Sequence, residues 1–251
     1  MNYIFLETAD STLSYAAQRQ AELHDMTMIS AYEQLAGRGQ RGNSWESEPG
    51  KNLTVALFCR PEAQGAPQGV PMAERQFRIS EATALSVRDT LLRHGIEATL
   101  KWPNDIYVGD RKICGILIEH TLTGNRIDNS RCGVGINLNQ REFLSDAPNP
   151  VSAYQLLGHE LDHAAVLEEF SEDIERRLHQ AADDPAGLHA EYLSHLWRAD
   201  NEFHPFRHRG TQEAPFRARI VTVHTDGLLE LQPEQGDNRR YSFKEVEFML
   251  I

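Results

Sequence analysis

The sequence is short of cysteine and of positive charge, and it lacks long hydrophobic runs. Three cysteines, Cys59, Cys114 and Cys132, occur in 251 residues, with no Cys-x-x-C pair among them. Scattered thiols in odd number exclude a disulfide framework and indicate a reducing compartment, where cysteine serves as a small apolar residue. No stretch approaches the ~18 apolar residues of a membrane span, and the N-terminus has no signal-peptide pattern. We therefore expect a cytoplasmic protein without a membrane partner.

Basic residues are outnumbered, with 25 Lys and Arg against 37 Asp and Glu, which gives a net charge of −12. A broad nucleic-acid footprint needs clustered positive charge, so DNA is not expected as a partner. The acid is unevenly placed, because residues 156–200 hold 11 acidic and 3 basic residues. In the rest of the chain the numbers of acidic and basic residues are nearly equal. The excess acidic residues of 156–200 are therefore expected on solvated faces of helices, away from a site.

The apolar spacing changes character twice along the chain. It predicts helices over 11–20, 78–94, 166–178 and 188–197, and strands over 26–34, 52–59, 100–102, 106–108, 112–119 and 132–138. After Asp200, four short strands with tight turns indicate a small closed or half-closed β-barrel. We expect a larger domain over residues 1–200 and a small β-domain over residues 201–251.

The stretch Q-L-A-G-R-G-Q-R-G-N-S-W, residues 34–45, is the most informative one. Its glycines allow close approach of the backbone to a ligand, and Arg38 and Arg41 suit a phosphate or carboxylate. It is neither a Walker A loop, since no Gly-Lys-Ser/Thr follows, nor a Rossmann fingerprint, since no helix follows. Taken alone, the stretch fits an anion-binding loop and a solvated basic turn about equally well.

Two further stretches carry polar groups beside apolar strands. In K-W-P-N-D, residues 101–105, followed by R-K-I-C-G-I-L-I-E, residues 111–119, Asp105 is suited to Mg²⁺ and Lys112 to a phosphate. The alternative is a turn followed by an exposed edge-strand lysine that blocks aggregation. In G-V-G-I-N-L-N, residues 133–139, the glycines and Asn137 fit either a close ligand approach or a twisted strand with a bulge.

Taken in order, these motifs resemble the signature set of the biotin–protein ligases, also called biotin–[acetyl-CoA-carboxylase] ligases. The resemblance spans residues 10–139, and the small C-terminal β-domain falls where that family has one. It implies an ATP-dependent reaction in two halves. Biotin is first activated as biotinyl-5′-AMP, and biotin is then transferred to a lysine of a biotin carboxyl carrier domain. The resemblance implies biotin and ATP as substrates, Mg²⁺ as cofactor and the carrier domain as partner.

The resemblance also assigns roles to single residues. It implies biotin contacts for Ser11, Thr12, Gln34, Arg38, Gly39, Gln40, Lys112, Gly115 and Ile116. It implies ATP contacts for Arg41, Trp45, Lys101, Asn104, Asp105 and Asn137. The implied catalytic residues are Arg38, Lys112 and Asp105, and Asp105 is also the candidate Mg²⁺ ligand or activator of the acceptor lysine.

The fold implied is α+β: a mixed, mostly antiparallel sheet with helices packed on one face, similar to class II aminoacyl-tRNA synthetases, plus a small SH3-like barrel. The family also offers a sheet edge for homodimerisation or carrier docking. The chain departs from many relatives at Leu13, where they have Asn, at Gln40, where some have Arg, and at Cys114, where many have a small residue without a thiol. In the relatives that have Arg at the position of Gln40, the arginine helps to retain the adenylate. We therefore expect the change to Gln to affect how long the adenylate stays bound.

Three alternatives remain at this point. One is a lipoate–protein ligase, which uses the same adenylate chemistry but has a different usual loop sequence. Another is a non-catalytic biotin- or nucleotide-binding sensor. The third is a repressor, because some bacterial members carry an N-terminal winged-helix domain. The Ser11-Thr12 pair lies so close to the start of this sequence that we expect a form without that domain.

Overall fold

The computed structural model describes residues 1–250, and for Arg41 it describes the backbone alone. Seven strands form the larger sheet: β1 (Asn2–Ala9), β2 (Thr27–Gln34), β3 (Leu53–Cys59), β4 (Thr99–Lys101), β5 (Asp105–Val108), β6 (Arg111–Thr123) and β7 (Arg126–Ile136). They lie in the order β1-β2-β3-β7-β6-β5-β4. The β1–β2 pair is parallel and every other neighbouring pair is antiparallel, which confirms the predicted mixed sheet.

The helices of the described chain are α1 (Thr12–Gln18), α2 (Met72–Arg93), α3 (Ala153–Leu157), α4 (His163–Asp183) and α5 (Pro185–Ser194). Met28 and Leu57 of the sheet share one core with α2, α4 and α5. Their neighbours Ile29 and Phe58 form a second cluster with Ala16 of α1. Because successive side chains of a strand point to opposite faces, α1 lies on the face opposite the long helices. The long helices thus pack on one face as predicted, and α1 is the exception.

Strand β3 lies inside the sheet, between β2 and β7. All of its residues are buried. The sequence of a strand that is covered on both faces is a nearly continuous apolar run without alternation. Strand β3 has such a sequence, L-T-V-A-L-F-C. The run therefore marks the part of the sheet that lies between α1 and the long helices.

A second sheet follows in the C-terminal part. Its strands are β8 (His204–His208), β9 (Phe216–Val223), β10 (Leu229–Pro233), β11 (Arg239–Tyr241) and β12 (Val246–Phe248). They lie in the antiparallel order β11-β10-β9-β8-β12, as expected of the small SH3-like domain. Trp102 Nε1 donates a hydrogen bond to the Gly227 carbonyl at 3.0 Å, which ties this sheet to the larger one. The domain boundary at residue 200 stays a prediction.

The sequence patterns missed three elements. Strand β1 has apolar residues on both faces, with Tyr3 and Phe5 exposed on one and Ile4 and Leu6 packed on the other, so it shows no alternation. Strand β8 adds a fifth strand to the four short strands expected after Asp200. Helix α3 is a short helix whose capping box, formed by Ser152 and Gln155, is its main local signal.

Across residues 1–250, every helix is too short or too polar to cross a lipid bilayer. The three cysteines are free and buried, as expected of thiols that act as small apolar residues.

A buried arginine joins α4 to α2 and α5. Arg177 Nε lies 2.7 Å from Asp89 Oδ2, and its Nη2 donates to Glu191 Oε1 at 2.6 Å. Burial alone would raise the pKa of Asp89, but hydrogen bonds from Arg177 and Arg176 outweigh it and hold that pKa below its ordinary value. The guanidinium therefore compensates two partly buried carboxylates at once.

We expect Arg177→Met to lower the free energy of unfolding by about 3 kcal/mol, because it leaves those carboxylates without their shared cation. Urea denaturation at neutral pH measures this loss. Arg176→Met is the matched control, since Arg176 bonds the same Asp89 but its side chain is 52% exposed. The control is expected to cost less than about 1 kcal/mol. Equal losses for the two variants would contradict this account.

Candidate ligand-binding site

A concave pocket opens on the face of the larger sheet that carries α1. It holds about 480 Å³ of empty space, part of which is open solvent. Its lining residues are Ser11, Thr12, Leu13, Gln34, Arg38, Gly39, Gln40, Trp45, Val55, Asn104, Lys112, Gly115, Ile116, Leu117, Gly133, Val134 and Gly135. Every residue predicted to contact biotin is among them, and so are Trp45 and Asn104 from the predicted ATP group.

The N-terminus of α1 forms the neutral polar end of the pocket. Ser11 caps the helix, since its Oγ accepts a hydrogen bond from Ser14 N at 3.0 Å. Thr12 donates from both N and Oγ1 to Gln34 Oε1, at 2.8 and 3.2 Å. These bonds fix the orientation of the Gln34 amide at the end of β2. This end of the pocket thus carries hydroxyl and amide groups but no charge.

The glycine-rich stretch folds into a flap beside the pocket. Gly39 N donates to Asn43 O at 2.7 Å, and Trp45 N donates to Gly37 O at 2.9 Å. A short 3₁₀ turn, Gln40–Gly42, forms its tip, and Gly42 has a φ of +81°, which favours glycine. The flap brings Arg38 to the pocket. The Arg41 side chain, predicted to contact ATP, lies outside the described residues.

Trp45 packs flat against a part of the sheet that has no side chains. Gly115 of β6 and Gly135 of β7 are paired in register. A Cβ added at Gly135 would lie 2.6 Å from Trp45 Cε2, and one at Gly115 would lie 2.8 Å from Cζ3. The two glycines therefore make room for the indole. Among the described residues, buried Trp45 Nε1 has no hydrogen-bond partner, and an unmet buried donor is costly unless a ligand supplies an acceptor.

The cationic end of the pocket is formed by Lys112, supported by Asp105. Lys112 Nζ lies 2.6 Å from Asp105 Oδ1 and 5.6 Å from the centre of the Trp45 ring. On its other side, Asp105 Oδ2 lies 3.4 Å from Lys101 Nζ. Asn104 is fixed beside them, since its Nδ2 donates to Ile116 O at 2.7 Å. Lys112 thus presents an oriented ammonium group to the pocket.

Lys101 lies behind this pair and does not line the pocket. Its Nζ lies 4.9 Å from the centre of the Tyr107 ring, 5.4 Å from Phe248 and 5.9 Å from Trp197. Burial lowers the pKa of Lys101, although Asp105 opposes the effect. The geometry indicates that Lys101 supports Asp105, and its predicted ATP contact gains no support from the pocket lining.

Asn137 is also buried and does not line the pocket. Its Nδ2 donates to Val151 O at 3.0 Å and lies 3.4 Å from Lys112 O. The amide therefore holds the start of β6 against the segment after residue 148. In this place Asn137 positions the backbone of Lys112, while its predicted contact with ATP stays untested.

The predicted site residues leave out several residues that line the pocket, namely Leu13, Val55, Leu117, Gly133, Val134 and Gly135. The sequence did point to two of them, Gly133 and Gly135, because glycines inside an apolar strand call for a close approach of another group. Leu13 fills the space at Gly133, where an added Cβ would lie 2.5 Å from Leu13 Cδ1. The others are apolar residues of strands, for which local patterns do not distinguish a pocket wall from the core.

Asp105, the predicted magnesium ligand, is already engaged by two lysines. Mg²⁺ is usually bound by one or two carboxylates together with substrate phosphates. The described residues contain no cluster of three or more His, Cys, Asp or Glu that could hold a metal. Both oxygens of Asp105 already face ammonium groups. The geometry therefore does not favour the predicted role of Asp105 as a metal ligand.

Solved structures of similar fold include several biotin protein ligases. The chain superposes on the Aquifex aeolicus enzyme in complex with biotin and ATP with a TM-score of 0.78, at 23% identity and 99% coverage of both chains. It superposes on the Helicobacter pylori biotin acetyl coenzyme A carboxylase synthetase with bound biotinylated ATP with a TM-score of 0.62, at 22% identity and 96% and 99% coverage. The mixed seven-stranded sheet with its helices and the small C-terminal sheet together define this fold class.

Residues 5–137 match the model of the biotin/lipoate A/B protein ligase family, and the chain belongs to that family. The Paracoccus denitrificans biotin–[acetyl-CoA-carboxylase] ligase is 34% identical over 170 residues, which cover 65% of this chain and 67% of that protein. The Bacillus spizizenii bifunctional ligase/repressor BirA is 26% identical over 229 residues, or 86% of this chain. The chain spans only 64% of the length of that relative.

Proposed function

We propose that the chain is an ATP-dependent biotin–protein ligase that forms biotinyl-5′-AMP and transfers biotin to a lysine of a biotin carboxyl carrier domain. One observation carries the proposal: a single pocket has uncharged hydrogen-bonding groups at one end and an oriented ammonium group at the other. The two ends lie on β2 and β6, which are separated by three strand spacings, or roughly 14 Å. An elongated ligand with a neutral polar head and a carboxylate tail fits between them.

Each end suits one part of biotin. The hydroxyls of Ser11 and Thr12 and the amide of Gln34 suit the ureido group, which both donates and accepts hydrogen bonds. Leu117 and the indole of Trp45, which was predicted to contact ATP, provide apolar walls for the ring system and the valeryl chain. Lys112 and Arg38 suit the carboxylate.

In the first half-reaction, a carboxylate oxygen of biotin attacks the α-phosphorus of ATP, and pyrophosphate leaves. Such a step needs charge neutralisation and in-line positioning more than a protein nucleophile. Lys112 neutralises the carboxylate and the α-phosphate as they approach, and Arg38 adds a second cation from the flap. In the second half-reaction, the acceptor amine attacks the acyl carbon, a proton leaves the nitrogen and AMP departs. Asp105 holds Lys112 in place for both steps.

The same proposal includes the source of magnesium, the cellular location and the absence of a DNA partner. Magnesium would enter with the phosphates of ATP as part of the substrate, since Asp105 is committed to lysines. The free buried thiols agree with a cytoplasmic location. We propose no DNA partner, because the net charge is −12. Salt-dependent binding to an operator would overturn that last point.

Incubating the chain with biotin, ATP and Mg²⁺ tests the proposal. Biotin-dependent exchange of pyrophosphate into ATP, together with biotin transfer to a carrier domain but not to its lysine-to-arginine form, is the expected result. The matched assay replaces biotin with lipoate. Exchange with lipoate alone would identify a lipoate ligase, and biotin binding without exchange would identify a sensor.

A further inference from the structure

A row of charged side chains continues from the pocket along the same face of β6 and β7. Glu119 of β6 lies two positions beyond Leu117, which lines the pocket. The guanidinium of Arg38 reaches across from the flap and donates from Nη2 to Glu119 Oε1. The flap is therefore tied to the sheet by an ion pair that the proposed reaction does not itself require.

Glu119 is supported from the other side by Arg131 of β7. The two residues are paired in register, and Arg131 Nε lies 3.6 Å from Glu119 Oε2. The Arg131 side chain is only 10% exposed. Its Nη1 donates to Thr121 Oγ1 and Asn129 Oδ1 at 3.0 Å and to Gln20 Oε1 at 3.2 Å. Arg131 is thus fixed by the sheet and by Gln20, which follows α1.

We propose that Glu119 is a positioning residue for adenylate formation and retention, acting through Arg38. The fixed guanidinium of Arg131 lies against one side of the Glu119 carboxylate, and Glu119 in turn holds the Arg38 guanidinium at the mouth of the pocket. The three side chains carry a net charge of +1, so an anionic ligand still gains from Arg38. The guanidinium has five N–H donors, and Glu119 engages one nitrogen, which leaves other donors for the ligand.

This inference rests on the proposed function, because the ligand that Arg38 would hold is biotinyl-AMP. A carboxylate beside an anion site has two opposite consequences in principle. If it competes with the ligand for Arg38, removing its charge tightens binding. If it positions Arg38, removing its charge weakens binding. The buried support from Arg131 favours positioning, because a competing carboxylate would need no fixed second arginine.

A double-mutant cycle between Glu119→Gln and Arg38→Ala tests the proposal in the full-length chain. The readouts are the dissociation rate of biotinyl-AMP, the KM for biotin and kcat, with thermal unfolding as a check on folding. We expect Glu119→Gln to speed dissociation and raise KM about fivefold, a size typical of a partly exposed ion pair, with a smaller change in kcat. In the Arg38→Ala background, Glu119→Gln should add nothing. With Arg38 present, Glu119→Asp keeps the charge and should lose less than Glu119→Gln.

Glu22→Gln is the matched control, because Glu22 pairs with Arg19 on the surface at 3.0 Å and should leave every readout unchanged. Additive losses in the double variant, or tighter binding in Glu119→Gln, would overturn the positioning role. If the unaltered chain makes biotinyl-AMP and Glu119→Gln matches it, only this inference fails. If the unaltered chain makes none, the proposed function fails.

Discussion

Replacing Lys112 with alanine is expected to slow formation of biotinyl-AMP by about 10²–10³-fold, a loss typical of removing one preorganised charge-stabilising donor. Lys112 is the cation that Asp105 orients at the wall of the pocket. Alanine leaves the developing negative charge on the carboxylate and the α-phosphate without that partner. Rapid-quench measurement of the first turnover, with saturating biotin and ATP, reports the chemical step separately from later transfer.

The fold should survive this change, because Asp105 keeps its contact with Lys101 at 3.4 Å. Lys51→Ala is the matched control, since Lys51 pairs with Glu160 on the surface at 3.1 Å and lies outside the pocket lining. The control should adenylate biotin at the rate of the unaltered chain. A normal burst in Lys112→Ala would refute the role given to Lys112, while a lowered unfolding midpoint would show that the loss is structural.

The structure shows whether Lys112 lies on an exposed strand edge, which the neighbouring residues in the sequence did not reveal. From its position after a hairpin, Lys112 taken alone fitted an exposed edge-strand lysine better than a phosphate contact. In the fold, Lys112 N donates to Asn149 O at 2.9 Å, and Val151 N donates to Lys112 O at 2.9 Å. The start of β6 is therefore covered by the segment 149–151 and is not a free edge. That covering segment is distant in the sequence, so no local pattern could reveal it.

The glycines and the polar residues differ in how well they could be predicted. Glycines within apolar strands carry their own signal, because they are costly there unless something approaches closely. Buried polar residues such as Asn137 and Lys101 carry no signal for the side of the strand they face. Whether such a group binds a ligand or holds the backbone depends on packing between segments far apart in the chain. The position of Trp45 shows this dependence most clearly. Its side chain or backbone lies against Gly37, Gly115 and Gly135, which belong to three separate segments of the chain.

Gly135→Ala is expected to weaken biotin binding by roughly ten- to a hundredfold. The added methyl carbon would lie 2.6 Å from Trp45 Cε2 and 2.7 Å from its Nε1, so the indole must leave the sheet. Overpacking of this kind costs typically 1–3 kcal/mol, and here the cost falls on the pocket wall. Titration calorimetry with biotin measures the change, and Trp fluorescence reports whether the indole has moved.

Trp45→Ala provides the control for this prediction, because it removes the group that the new methyl would strike. Trp45→Ala should itself weaken biotin binding, through loss of an apolar wall and of the unpaired indole N–H. In that background, Gly135→Ala should cost less than about threefold, since the space above the sheet is then empty. An equal loss in both backgrounds would mean that the methyl group meets biotin itself. Gly135 would then form the floor of the biotin site directly, and Trp45 would serve only to close it.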